Sequence, residues 1–81
     1  MTDESTNDDG GEGDKRSGVI QSVSIAARFL TILAQSESAL ALGELARRAG
    51  SGRSTAHRYM QSLVREGLVA QDQVTGAYDL G

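Results

Sequence analysis

Three stretches of 3.6-residue apolar periodicity, followed by a short stretch of two-residue alternation, predict a mainly α domain with a small β-hairpin. Gly50 and Gly67 fall directly after the second and third periodic stretches, where a left-handed residue ends a helix. Five arginines (Arg47, Arg48, Arg53, Arg58, Arg65) lie between Glu44 and Glu66 with no acid among them. These observations centre the chain on LGELARRAGSGRSTAHRYMQSLV, residues 42–64: a short helix, a glycine-bearing turn and a second helix.

A chain of 81 residues is one small domain. A domain of this size buries only about 60% of its unfolded surface, so its core is modest and a partner subunit would add to it. There is no cysteine, which excludes a disulfide framework or a thiolate metal site and fits a cytoplasmic protein. The N-terminus has no apolar signal region. The apolar-rich run 25–34 is broken by Arg28 and Thr31 and is too short to span a bilayer.

The net charge of −3 is unevenly spread. Residues 1–17 hold six acids against Lys15 and Arg16, a net −4, whereas residues 18–81 hold six arginines against five acids, a net +1. The segment 1–18 has no apolar residue but Met1 and cannot bury enough surface to offset its ordering entropy, so a disordered acidic tail is expected there. It is either a solubilising tail or a competitor of nucleic-acid phosphates for the arginines. The domain is expected over 19–81.

The first helix is expected over 22–34, with Ser22 as N-cap. Val23, Ala26, Ala27, Leu30, Leu33 and Ala34 form one apolar face, and Ile25, Phe29 and Ile32 form a second beside it. The second face is either part of a three-helix core or a surface for a second subunit. After the polar loop 35–39, Leu40 is a candidate for a very short strand. The second helix spans 42–49. Glu44 sits three residues after Ala41, which makes half a capping box, because Ala41 has no side-chain oxygen. The third helix begins after Ser51-Gly52, with Gly52 or Ser51 as N-cap, and continues to Glu66. Its apolar arc, Ala56, Tyr59, Met60, Leu63 and Val64, is about 140° wide. Ser54, Arg58, Gln61 and Arg65 stack opposite that arc with His57 at the edge, and this row contains no acid. Solvated helix faces usually mix signs, because opposite charges stabilise each other. Residues 68–71 and 77–80 read as two strands joined by the loop 72–76, with Gly76 able to take positive φ. Three helices and a terminal hairpin in this order form a winged helix-turn-helix, a three-helix core plus wing.

The stretches SVSIAARFLTIL, LGELARRAG, RSTAHRYMQSLVREGLV and TGAYDLG, taken together and in order, resemble the N-terminal domain of the isocitrate-lyase-regulator (IclR) type of bacterial transcription factor, over 21–81. The resemblance implies operator binding as a homodimer, with the first helix contributing to pairing, which favours a partner at Ile25, Phe29 and Ile32. It also implies a C-terminal domain for a small-molecule effector, which this sequence does not contain, so the chain is expected to be a fragment. Ser51 and Gly52 depart from the aliphatic and proline or serine residues usual in the family, which predicts a looser turn. Tyr59 stands in place of the common leucine.

A recognition helix in the major groove of double-stranded DNA reads bases from its N-terminal residues. Ser54, His57, Arg58 and Gln61 are therefore the expected base readers, and Arg58 is suited to bidentate pairing with guanine. Arg47, Arg48, Arg53, Thr55 and Arg65 are expected at phosphates. The loop 73–76 has no basic residue and should add little. No cofactor or metal is expected, since the single His57 has no cysteine or nearby carboxylate with it. An enzyme is not supported, because no phosphate-cradling glycine loop follows a strand. The rival readings are a winged-helix protein–protein assembly module and an RNA-binding domain. The latter would need exposed aromatics, and Phe29, Tyr59 and Tyr78 fit core or interface roles better.

Overall fold

A computed structural model describes residues 18–81; the acidic tail expected over 1–18 lies, but for Gly18, outside the described residues. The elements are α1 (Gln21–Gln35), α2 (Leu42–Ala49), α3 (Arg53–Arg65), β1 (Val69–Gln71) and β2 (Tyr78–Leu80). The strands pair antiparallel, with Val69 opposite Leu80, Ala70 opposite Asp79 and Gln71 opposite Tyr78. Leu40 contributes a single antiparallel bridge to Tyr78, closed by Leu40 N to Tyr78 O at 2.9 Å and Tyr78 N to Leu40 O at 2.8 Å. The expected short strand is thus one residue long.

Helix α1 starts at Gln21 with Ile20 in the extended cap position and no side-chain cap. Ser22 is therefore inside the first turn, not the N-cap. Helix α2 begins after extended Ala41, also without a side-chain cap. Its end is closed by Gly50 at φ 70°, with Gly50 N donating to Arg47 O (3.2 Å) and Ser51 N to Ala46 O (2.9 Å). This is the paired 5→2 and 6→1 closure of a Schellman motif. Helix α3 ends in the same way: Gly67, at φ 81°, donates to Val64 O and Leu68 to Leu63 O, each at 3.0 Å. The turn at Ser51-Gly52 is therefore hydrogen-bonded, not loose. Main-chain bonds close it whatever the side chain of Ser51, and Gly52 serves as the extended N-cap of α3.

The core gathers one or more side chains from every element: Phe29 and Leu33, Leu45 and Ala46, Ala56 and Met60, Val69, Tyr78, and Leu40 from the loop. No polar or charged residue is buried among the described residues, so the core rests on apolar burial and shape. Phe29 is 0% exposed, and its ring lies 5.8 Å from that of Tyr59, tilted by 31°. This corrects the expectation that Phe29 faces a partner: the face Ile25–Phe29–Ile32 turns inward, with Ile25 and Ile32 half-buried against the core. The large apolar residues that α1 and its approach leave in solvent are instead Val19, Ile20 and Val23. Among the described residues no helix is long and apolar enough to cross a membrane.

Two outcomes test this packing. Phe29→Ala should cost about 3–5 kcal/mol, the usual range for a buried aromatic, and should abolish the cooperative urea transition of a domain this small. Gly50→Ala should cost about 1 kcal/mol, because its left-handed φ penalises a Cβ, and Gly50→Asn should cost less in the same titration.

Candidate nucleic-acid interface

Helix α3 presents the expected row to solvent. Ser54, His57, Arg58, Gln61 and Arg65 are all exposed, whereas Ala56, Met60 and Leu63 on the opposite side are buried. Thirteen residues make a rod about 20 Å long, and a major groove about 12 Å wide admits a helix. Arg58 and Arg65 have no ion-pair partner among the described residues, so both guanidiniums are available to an anion. The Arg58 carbonyl accepts the Ser62 hydroxyl at 3.0 Å, a contact that leaves the Arg58 side chain untouched. Thr55, expected at phosphate, is half-buried in the first turn.

Gln61 has a partner that the helical spacing does not show. Its Nε2 donates to the Tyr78 hydroxyl at 3.2 Å, tying the middle of α3 to the hairpin. One amide proton of Gln61 is thus engaged within the domain. Tyr78 is 2% exposed, and this bond gives its hydroxyl a partner at the edge of the core. The two residues are 17 positions apart, and nothing in either periodicity pairs them.

The arginines of α2 are not free. Glu44 lies just outside the arginine-rich stretch in sequence but folds back onto it. Arg47 Nε donates to Glu44 Oε1 at 3.1 Å and Arg47 Nη2 donates to Oε2, while Arg48 Nε donates to Oε2 at 2.6 Å. These contacts at i+3 and i+4, with the acid N-terminal to the bases, are the favourable helical arrangement. The hydrogen bond from Arg47, then that from Arg48, pulls the Glu44 carboxyl down from 4.5 to about 2, and the same contact raises Arg47. Glu44 makes no capping box, since α2 has no side-chain cap; its carboxylate serves the i+3 and i+4 arginines of ELARR instead.

Arg53 opens α3, and its guanidinium lies over the first turn of α2: a Cβ on Gly43 would meet Arg53 Nη1 at 3.5 Å. Arg28 of α1 donates from Nη1 to the Ala49 carbonyl at 3.4 Å, placing a cation at the C-terminal end of α2, where the helix dipole favours it. The hairpin loop is held by Asp72, whose Oδ1 accepts the amides of Val74 (2.7 Å) and Thr75 (2.9 Å). Those amides, Thr75 first, draw the Asp72 carboxyl below its ordinary range. Gly76, at φ 78°, donates to the Asp72 carbonyl at 2.8 Å. Val74 stands at the tip, 93% exposed. Among the described residues no group of three or more histidine, cysteine or acidic side chains is placed to hold a metal ion.

Comparison with known proteins agrees with this geometry. The family described as the IclR helix-turn-helix domain matches residues 22–73. The chain is 42% identical over 62 residues to the glycerol operon regulatory protein of Streptomyces coelicolor, covering 76% of this chain and 24% of that protein. It is 41% identical over 70 residues to the HTH-type transcriptional regulator Rv1719 of Mycobacterium tuberculosis, covering 86% and 27%. The crystal structure of an IclR family transcriptional regulator from Brucella abortus superposes with a TM-score of 0.75 at 28% identity, covering 88% of this chain and 26% of that one. The chain belongs to the IclR helix-turn-helix family of transcriptional regulators, and its fold is that family's winged-helix DNA-binding domain. It spans about a quarter of the length of the curated relatives it matches.

The Glu44 cluster has a testable pH signature. The folded carboxyl titrates below its unfolded value, so its contribution to stability is fully present above pH 4.5 and is lost as pH falls toward 2. Carboxyl-detected NMR should place the Glu44 midpoint near 2, and replacing Arg47 and Arg48 together by glutamine should return it toward 4.5.

Proposed function

We propose that this chain is the DNA-binding head of a bacterial transcriptional regulator, with α3 inserted in the major groove of double-stranded operator DNA. The observation that carries this reading is the exposed, acid-free row on α3, set opposite a fully apolar face and joined to α2 by a hydrogen-bonded turn. Ser54, His57 and Arg58, in the first half of α3, read base edges. Gln61 contributes to reading only through the amide atoms that Tyr78 leaves free. Arg53, Arg47, Arg48 and Arg65 neutralise phosphates, and Thr55 adds a hydroxyl at the first turn. Base contacts supply the specificity and phosphate contacts most of the affinity.

The head acts as one half of a homodimer in the cytoplasm. Support for a partner copy comes from Ile20 and Val23, 63% and 62% exposed on the outer side of α1, with Ala27 exposed one turn further on. An apolar stripe of this kind on a small domain is a surface for association, and a two-fold pair of heads would read an inverted repeat. Response to a small-molecule effector belongs to sequence beyond the matched quarter of the relatives.

Selection from a random oligonucleotide pool should return an inverted repeat. Arg58→Ala should then lose about 1–3 kcal/mol on that site and much less on random duplex, as for a lost bidentate base contact. Equal loss on both would make Arg58 a phosphate contact, and binding indifferent to salt would favour an assembly module over a DNA reader. Val23→Asp should weaken binding to the full repeat while leaving half-site affinity unchanged in the same gel-shift titration.

A further inference from the structure

A carboxylate sits inside the surface assigned above to phosphate. Both oxygens of Glu44 are occupied by the guanidiniums of Arg47 and Arg48, so the three side chains together carry one net positive charge where the arginines alone would carry two. Arg47 uses its Nε and Nη2 on Glu44, which is the forked edge that a phosphate would also seek. Arg48 gives its Nε to the same carboxylate. The contact lies within one helix, so it is in place before any ligand arrives. Arg53, whose guanidinium lies over Gly43 beside Glu44, has no carboxylate partner among the described residues. The carboxylate is therefore shared by two arginines of the interface, while the guanidinium of a third stands over the same first turn of α2.

We propose that Glu44 is an intramolecular counterion that a DNA phosphate must displace from Arg47 and Arg48, so that it holds down the affinity of α2 for the duplex backbone. The inference rests on the DNA-binding reading above. A phosphate approaching Arg47 competes with Glu44 for the same N–H groups and is repelled by its charge. Fewer counterions are then released from DNA than the arginine count would allow. Backbone affinity is the sequence-independent part of binding, so lowering it shortens the time spent on random DNA and leaves the side chains of α3 to decide where the head stays.

The test uses the whole 81-residue chain and a fluorescent random-sequence duplex of about 30 base pairs, titrated between 50 and 200 mM KCl, a range over which counterion release is readily measured. Glu44→Gln and Glu44→Ala both remove the charge, the second with the best helix-forming residue, so one of them reports even if the other folds poorly. Glu37→Gln is the control for net charge, because Glu37 is exposed in the loop after α1 and is bonded to no arginine among the described residues. Both Glu44 variants should bind more tightly than the parent. Their slope of log affinity against log salt should steepen by about 0.9 for each phosphate newly engaged, which makes the gain roughly three- to fourfold larger at 50 than at 200 mM. The control should keep the parental slope. An unchanged slope or weaker binding in a Glu44 variant that keeps the parental helical circular-dichroism spectrum, or an equal effect of Glu37→Gln, would each overturn the proposal. If the parent itself fails to bind duplex DNA, the DNA-binding reading falls with it; if the parent binds normally and only the Glu44 result fails, that reading stands.

Discussion

Tyr78 is where the separate parts of this domain are joined. Its backbone pairs with Leu40, at the entrance to α2, and lies opposite Gln71 across the hairpin. Its ring is buried in the core, and its hydroxyl accepts from Gln61 on α3. A single residue thus fixes where α2 begins, where the wing lies and how the middle of α3 sits against it. With few buried side chains in so small a core, such a junction matters more than it would in a larger domain.

The second constraint is the turn between α2 and α3. Two main-chain bonds and one left-handed glycine set the exit of α2, and Arg28 adds a cation at the same helix end. The angle between the helices is therefore held by backbone geometry and by burial of Leu45, Ala46, Ala56 and Met60. None of these groups lies on the polar row of α3, so that row can vary in chemistry without disturbing the scaffold beneath it.

The charge on α2 and α3 is more structured than a count of arginines suggests. Arg58 and Arg65 on α3 are unpaired among the described residues, whereas Arg47 and Arg48 on α2 share Glu44. Free guanidiniums therefore stand on the helix assigned to base reading, and compensated ones stand on the helix assigned to the backbone. Backbone contacts carry no sequence information, so in the proposed reading the compensated charge falls on the helix that contacts phosphate alone.

Much of this was legible in the residues themselves. The apolar arc of α3, the glycine stops at Gly50 and Gly67 and the closing role of Gly76 follow from 3.6-residue spacing and from the cost of a Cβ at positive φ. The polar row Ser54, His57, Arg58 and Arg65 follows from the same spacing, since a helix with one buried face must expose the other. What the sequence left open was decided by contacts between elements. Two adjoining apolar faces on α1 satisfy the same periodicity equally well, and only packing against Tyr59 and the rest of the core shows that Phe29 turns inward while Ile20 and Val23 stay outside. The Gln61–Tyr78 and Arg28–Ala49 bonds join residues 17 and 21 positions apart. Periodicity describes one element at a time, whereas the orientation of a face and the partner of a polar side chain depend on where the other elements settle.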